Sequence, residues 1–189
     1  SVGPPMPGTV VEIVSVEEPT RVLGLGERGE ICIRGPQVML GYWAQPEATA
    51  DVFRGGALRT GDIGYLDEDG YLFLVDRIKD VIIAGGYKIY PRLVEEAIFQ
   101  HPQVRECIVI GVPDRYRGQT VKAFVVLREG EHLTAEDLTE FLKQRLSPIE
   151  MPKLIEFRES LPRTLIGKPS KRALEQEEAA RARENKPTT

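Results

Sequence analysis

The chain has 189 residues, 41% of them hydrophobic and 29% charged, enough for one or two domains with cores of their own and ordinary for a globular protein. Its 25 Lys and Arg against 29 Asp and Glu leave a net charge of −4, which argues against nucleic acid as a partner, because phosphate binding needs a basic surface. The longest apolar runs, residues 81–84 and 107–110, fall far short of the roughly 20 residues that span a bilayer, so no transmembrane segment is expected. Nothing resembles a secretory signal, and the fit is the cytoplasm.

In chain order, the spacing predicts short strands at residues 10–16, 29–33 and 71–75, the last after the turn Asp67-Glu68-Asp69-Gly70. A brief helix over 46–52 opens at Pro46, where proline suits a first helical turn. Residues 1–75 therefore read as a small antiparallel β subdomain. From Asp80 onward strands alternate with helices. Strands at 81–84 and 87–89 flank Gly85-Gly86, a pair suited to a hairpin turn in which both residues take positive φ.

A helix over 91–100 follows, with Val94, Ala97 and Ile98 on one face, then strands at 105–110 and 121–127. The next helix is capped by Thr134, with Asp137 three residues on, and buries Leu138, Phe141, Leu142 and Leu146. With a strand at 154–157, residues 80–175 form a compact α+β domain. The pattern changes at 76–79, where a hinge is expected. The Ala-, Glu-, Arg- and Lys-rich stretch from 169 to 184 reads as a polar helix, so 176–189 is expected to be a fraying helix and a disordered tail.

Two spellings mislead. Gly24-Leu25-Gly26-Glu27-Arg28-Gly29 matches a dinucleotide pattern, but a strand follows it where that site needs a helix. Gly167-Lys168 ends like a phosphate loop, but Pro162 and Pro169 stand where glycine and the magnesium-binding hydroxyl belong. Cys32 and Cys107 sit in apolar runs as small buried thiols, and with His101 and His132 isolated no metal site is expected.

Three charged residues suggest chemistry. Asp62, in what reads as a glycine-flanked turn, can accept hydrogen bonds from a ribose diol or simply from local amides. Arg77 can flank that sugar or pair with Asp76 or Asp80. Lys168, on a glycine loop, can meet charge developing on a phosphate or carboxylate, or stand solvated.

The ordered set Gly29-Glu30-Ile31-Cys32-Ile33-Arg34-Gly35-Pro36, Gly41-Tyr42-Trp43, Arg59-Thr60-Gly61-Asp62, Asp76-Arg77-Ile78-Lys79-Asp80, Gly85-Gly86-Tyr87-Lys88-Ile89, Gly111-Val112-Pro113-Asp114 and Pro162-Arg163-Thr164-Leu165-Ile166-Gly167-Lys168 resembles the acyl-adenylate-forming superfamily. Within it the chain looks most like the bacterial fatty-acyl-CoA ligases. The resemblance runs from Gly3 to Leu174 and implies ATP and CoA as substrates. It implies ribose contacts at Asp62 and Arg77, a pivot at Lys79, a pantetheine channel at Gly85 and Gly86, and a catalytic Lys168 that meets the acyl carboxylate and α-phosphate.

The family's upstream phosphate loop and its Mg2+- and adenine-binding segment do not occur here, and the chain starts Ser1-Val2-Gly3. It is therefore expected to be the carboxy-terminal portion of a longer ligase, inactive by itself, with the Mg2+ ligand and acyl pocket elsewhere. Ala57 replaces the family's usual tryptophan, Ile83 stands where some members carry a second-step lysine, and Pro169 follows the catalytic lysine. The alternatives are an adenylation domain that loads a carrier protein and a noncatalytic nucleotide-binding or interaction module. The acyl specificity and association into a homo-oligomer stay open.

Overall fold

Asp62, read from sequence as a turn residue, lies inside a ten-residue strand of the computed structural model, which describes residues 1–184. The expectation of disorder for 185–189 lies outside the described residues. The chain divides into two compact units, Ser1–Lys79 and a second that begins at Asp80.

The first unit holds β1 (Val10–Val14), β2 (Gly29–Arg34), α1 (Pro46–Val52), β3 (Phe53–Arg54), β4 (Ala57–Leu66) and β5 (Leu72–Arg77). The sheet is antiparallel in the order β1-β2-β4-β3, and β5 also pairs with β4. Side chains alternate through it: Ile13 and Ile31 pack with Leu72 in one cluster, while Val14, Cys32 and Ala57 form another.

The length of β4 corrects the sequence reading of Asp62 as part of a turn between Thr60 and Gly64. Gly61 takes a φ of 72°, and the pairing register slips between Glu30 and Cys32 opposite β4 and again between Ile63 and Gly64 against β5. A strand that must absorb such irregularities uses the same glycine that a turn would use.

In the second unit β6 (Ile82–Ala84) and β7 (Tyr87–Ile89) form the expected hairpin, with Gly85 at φ 59° and Gly86 at φ 84°. Then come α2 (Pro91–Phe99), β8 (Val104–Asp114), β9 (Gly118–Leu127), α3 (Ala135–Lys143), β10 (Leu154–Phe157) and α4 (Lys171–Glu184). The sheet runs β10-β9-β6-β7 with β8 on β9, and β10 alone is parallel to its neighbour. The Thr134 side chain accepts the Asp137 amide at the start of α3.

Two clusters close this sheet. Val94, Ala97, Ile98, Leu138 and Leu142 of α2 and α3 pack with Ile82, Val109 and Val125, while Leu161 and Leu174 pack with Ile108, Ile110, Phe124 and Val126.

Helix α4 runs without a break through residue 176, where fraying is expected to begin. Leu174 is fully buried, Lys122 of β9 pairs with Glu178 at 2.9 Å and with Glu156 at 2.8 Å, Arg158 pairs with Glu177 at 2.7 Å, and Arg181 pairs with Glu156 at 2.9 Å. Charges of this polar helix therefore have partners on the sheet, and Lys122 and Arg158 both lie over the Phe124 ring.

Burial would raise the Glu156 carboxyl, but hydrogen bonds from Lys122, Arg158 and Arg181 outweigh it and hold the group at about 2. An unfolded glutamate titrates near 4.3. The group's contribution to stability is thus complete above the unfolded value and disappears as pH falls through about 2. Protection factors along α4, with the intrinsic pH dependence of amide exchange divided out, should fall between pH 5 and pH 2 in the wild type. A Glu156→Gln chain that retained the same acid response would show that another group controls it.

Candidate functional site

In the first unit, the β4–β5 register sets Asp62 opposite Arg77, and Arg77 Nε donates to Asp62 Oδ1 at 3.2 Å. The two residues singled out for a ribose are thus brought together. Arg77 pairs across the strands, and its amide donates to Asp76 Oδ1 at 2.8 Å. A half-exposed ion pair contributes only about 0–1 kcal/mol to stability, so its value lies in placing a carboxylate that has acceptor positions beyond the one this contact occupies.

The backbone that carries Asp62 is held from below. Thr60 donates its hydroxyl to the Ile31 carbonyl at 2.8 Å and accepts the Asp62 amide at 3.1 Å. The buried Glu30 accepts Arg59 Nε at 2.9 Å and the Gly61 amide at 3.3 Å. Glu30, Arg59, Thr60, Gly61, Arg77, Ile78 and Lys79 line an open cavity of about 390 Å3.

Sequence reasoning gave Glu30 no role. The available signal was a carboxylate next to the apolar run Ile31-Cys32-Ile33, a position that needs a buried partner. Lys79 sits exposed in the 3-10 turn Ile78–Asp80 and is the last residue of the first unit.

In the second unit, nothing lies within 4 Å of a Cβ built on Gly85 or Gly86, so their positive φ, and not crowding, is what requires glycine in the turn. The Gly85 amide donates to the Arg117 carbonyl at 2.8 Å. Ala84, Gly85, Tyr87, Arg117, Pro148, Ile149 and Lys153 line a second open cavity of about 370 Å3.

Lys168 is exposed on a loop that closes on itself. The Thr164 amide donates to the Lys168 carbonyl at 2.8 Å, the Gly167 amide to the Thr164 carbonyl at 2.9 Å, and the Lys168 amide to Thr164 Oγ1 at 3.2 Å. Arg163 ties this loop to the sheet, donating to the Gly167 carbonyl at 2.9 Å and to the Glu106 carboxylate at 2.7 Å. Leu161 and Leu174 anchor both approaches, while Leu165 and Ile166 stand exposed at the tip. The ammonium thus projects from a loop whose base is fixed.

Neither thiol adds chemistry to these sites. Both cysteines are buried and unbridged, and burial, reinforced by Glu30 at Cys32 and by Glu95 at Cys107, pushes both thiols up. Among the described residues no group of three or more His, Cys, Asp or Glu side chains is arranged to hold a metal, and no helix is long and apolar enough to cross a membrane.

Residues 93–168 match the family model of the AMP-binding enzyme C-terminal domain, and residues 1–43 match that of the AMP-binding enzyme. The chain is 53% identical over 178 residues to a long-chain-fatty-acid–CoA ligase of Bacillus subtilis (strain 168), an alignment that covers 94% of this chain and 32% of that protein. Among solved structures it is similar to ATP-bound MatB from Rhodopseudomonas palustris, with a TM-score of 0.88 and 37% identity over 94% of this chain and 35% of that one. It is also similar to the amide bond synthetase McbA from Marinactinospora thermotolerans, with a TM-score of 0.85 and 42% identity over 93% of this chain and 36% of that one. The chain spans about a third of the length of the curated relatives it matches.

Proposed function

Because the chain belongs to the AMP-binding family of acyl-adenylate-forming enzymes, we propose that it is the carboxy-terminal portion of an AMP-forming ligase that joins a fatty or related carboxylic acid to CoA. The observation that carries this reading is the 53% identity, across 94% of the chain, to a long-chain-fatty-acid–CoA ligase. ATP and CoA are then substrates. The Mg2+ that accompanies ATP, the acyl pocket and the triphosphate contacts belong to the remainder of the enzyme. The cytoplasm is the expected compartment.

In the first half-reaction a carboxylate oxygen attacks the α-phosphorus of ATP and pyrophosphate leaves. Asp62 accepts the ribose hydroxyls, and Arg77, whose guanidinium holds Asp62, flanks the sugar. Lys168 offsets charge shared between the carboxylate and the α-phosphate. In the second, the CoA sulfur attacks the acyl carbon and AMP leaves with the bonding pair, while the thiol proton is lost to solvent. The Gly85-Gly86 turn lines the thiol's approach, where side chains are absent. Two faces of one small domain serve two steps, so the residues at 76–79 act as a hinge between them, with Lys79 as its pivot.

In the complete enzyme a panel of carboxylic acids should support ATP–pyrophosphate exchange, followed by acyl-CoA formation. Loss of hydrogen bonds to a charged acceptor predicts that Asp62→Ala raises KM for ATP about 10- to 100-fold. An unchanged KM would remove Asp62 from the ribose site. Exchange with no acid of any chain length would overturn the ligase reading. A second reading, transfer of the acyl group to an amine, draws on the likeness to McbA, and amine and CoA supplied in competition separate the two by product.

A further inference from the structure

The Gly111-Val112-Pro113-Asp114 motif has no part in the chemistry above, yet it ends β8 where the turn to β9 begins. The side chains of that turn, Arg115, Tyr116 and Arg117, are exposed, so apolar packing does not shape it. Within the turn, one carboxylate adds to the backbone pairing of Asp114 with Gly118. Asp114 Oδ1 accepts the Tyr116 amide at 2.9 Å and the Arg117 amide at 2.8 Å. These bonds, that from Arg117 first, hold the carboxyl below the usual aspartate range, so it is charged at neutral pH and accepts strongly.

The turn and the first residues of β9 hold the Gly85-Gly86 hairpin at three points. The Arg117 carbonyl accepts the Gly85 amide at 2.8 Å, Gly118 pairs with Ala84, and Gln119 Oε1 accepts the Ile83 amide at 2.8 Å. The other end of the motif serves the same junction. A Cβ on Gly111 would lie 3.2 Å from Ile82 and 3.3 Å from the Gln119 side-chain carbon, so glycine leaves room for the strand and side chain that fasten the hairpin.

We propose that Asp114 is a positioning residue for the Gly85-Gly86 loop, acting through the Arg117 carbonyl to fix where the incoming thiol passes. The proposal rests on the CoA-ligase reading above. A displaced channel wall costs rate because the thiol must reach the acyl carbon in a narrow range of geometry. Asp114 touches neither substrate, and adenylate formation does not use this loop.

Two arms test it. In the complete enzyme, starting from presynthesised acyl-adenylate, losing a fastener made of charge-assisted bonds predicts that Asp114→Ala raises KM for CoA about tenfold while pyrophosphate exchange keeps its wild-type rate. Asp114→Asn, which retains an acceptor oxygen, should recover most of the loss. An unchanged KM for CoA, or equal losses in both half-reactions, overturns the proposal. In the 189-residue chain, Asp114→Ala should speed exchange of the Gly85 amide about tenfold and leave that of Phe124, in the buried sheet, unchanged. Unaltered Gly85 exchange overturns the fastening itself. A wild-type enzyme that forms adenylate but no acyl-CoA would overturn the ligase reading instead, and the exchange arm would still decide whether Asp114 holds the loop.

Discussion

Lys168→Ala in the complete enzyme is expected to slow adenylate formation about 10²- to 10³-fold, the usual cost of removing one preorganised charge partner of a transition state. Thioester formation from presynthesised acyl-adenylate should stay near the wild-type rate. The size of the effect follows from the support around the residue. Thr164, Gly167 and Arg163 close and anchor the loop through its backbone, so deleting the Lys168 ammonium leaves those contacts in place. The loss should therefore fall on kcat for pyrophosphate exchange, with the thermal unfolding midpoint unchanged. Lys168→Arg keeps the charge but changes its reach and shape, and should recover only part of the rate. Equal loss in both half-reactions would mean that Lys168 acts in both steps or holds the loop, and the division of labour between two faces would lose its main support.

What was legible in the sequence was local. The Gly85-Gly86 hairpin, the Thr134 cap and the apolar faces of α2 and α3 follow from residues within a turn or two of one another, and the structure has all three. Asp62 was misplaced because Gly61 carries one signal for two outcomes, a turn or an irregular strand. The choice between them is made by β2, whose Glu30 lies 31 residues away from Gly61 in sequence.

Arg77 was offered the neighbouring carboxylates Asp76 and Asp80, whereas strand pairing supplies Asp62, 15 residues back. Helix α4 reads as a polar helix, and the partners of its charges are likewise distant in sequence. Its glutamates find Lys122 and Arg158, and one leucine, Leu174, fills a core site that no periodic pattern announces. Charges whose partners come from distant strands are the elements that a linear reading assigns to solvent.

The proposed pivot at Lys79 allows a test that separates backbone from side chain. Lys79 is exposed in a single 3-10 turn, and a few residues before it Val75 and Asp76 are buried in β5. A rotation there can leave the structure on either side intact. Proline fixes φ near −65° and also restricts the residue before it, so Lys79→Pro should hold the segment close to one conformation. If adenylation and thiol attack need different poses, the complete enzyme carrying Lys79→Pro retains one half-reaction and fails in overall turnover. Adenylation is the step expected to survive.

Lys79→Ala is the necessary partner experiment. It removes the charge but keeps the backbone free, and should turn over like the wild type. Pyrophosphate exchange, consumption of presynthesised adenylate with CoA, and thermal unfolding measured on both variants distinguish the outcomes. Loss in Lys79→Ala equal to that in Lys79→Pro would mean that the ammonium itself is used, in keeping with its place on the wall of the Arg77 cavity. Wild-type rates in both half-reactions and in turnover for Lys79→Pro would move the pivot to Asp76 or Asp80, since a rotation about φ of Lys79 cannot occur in the proline variant.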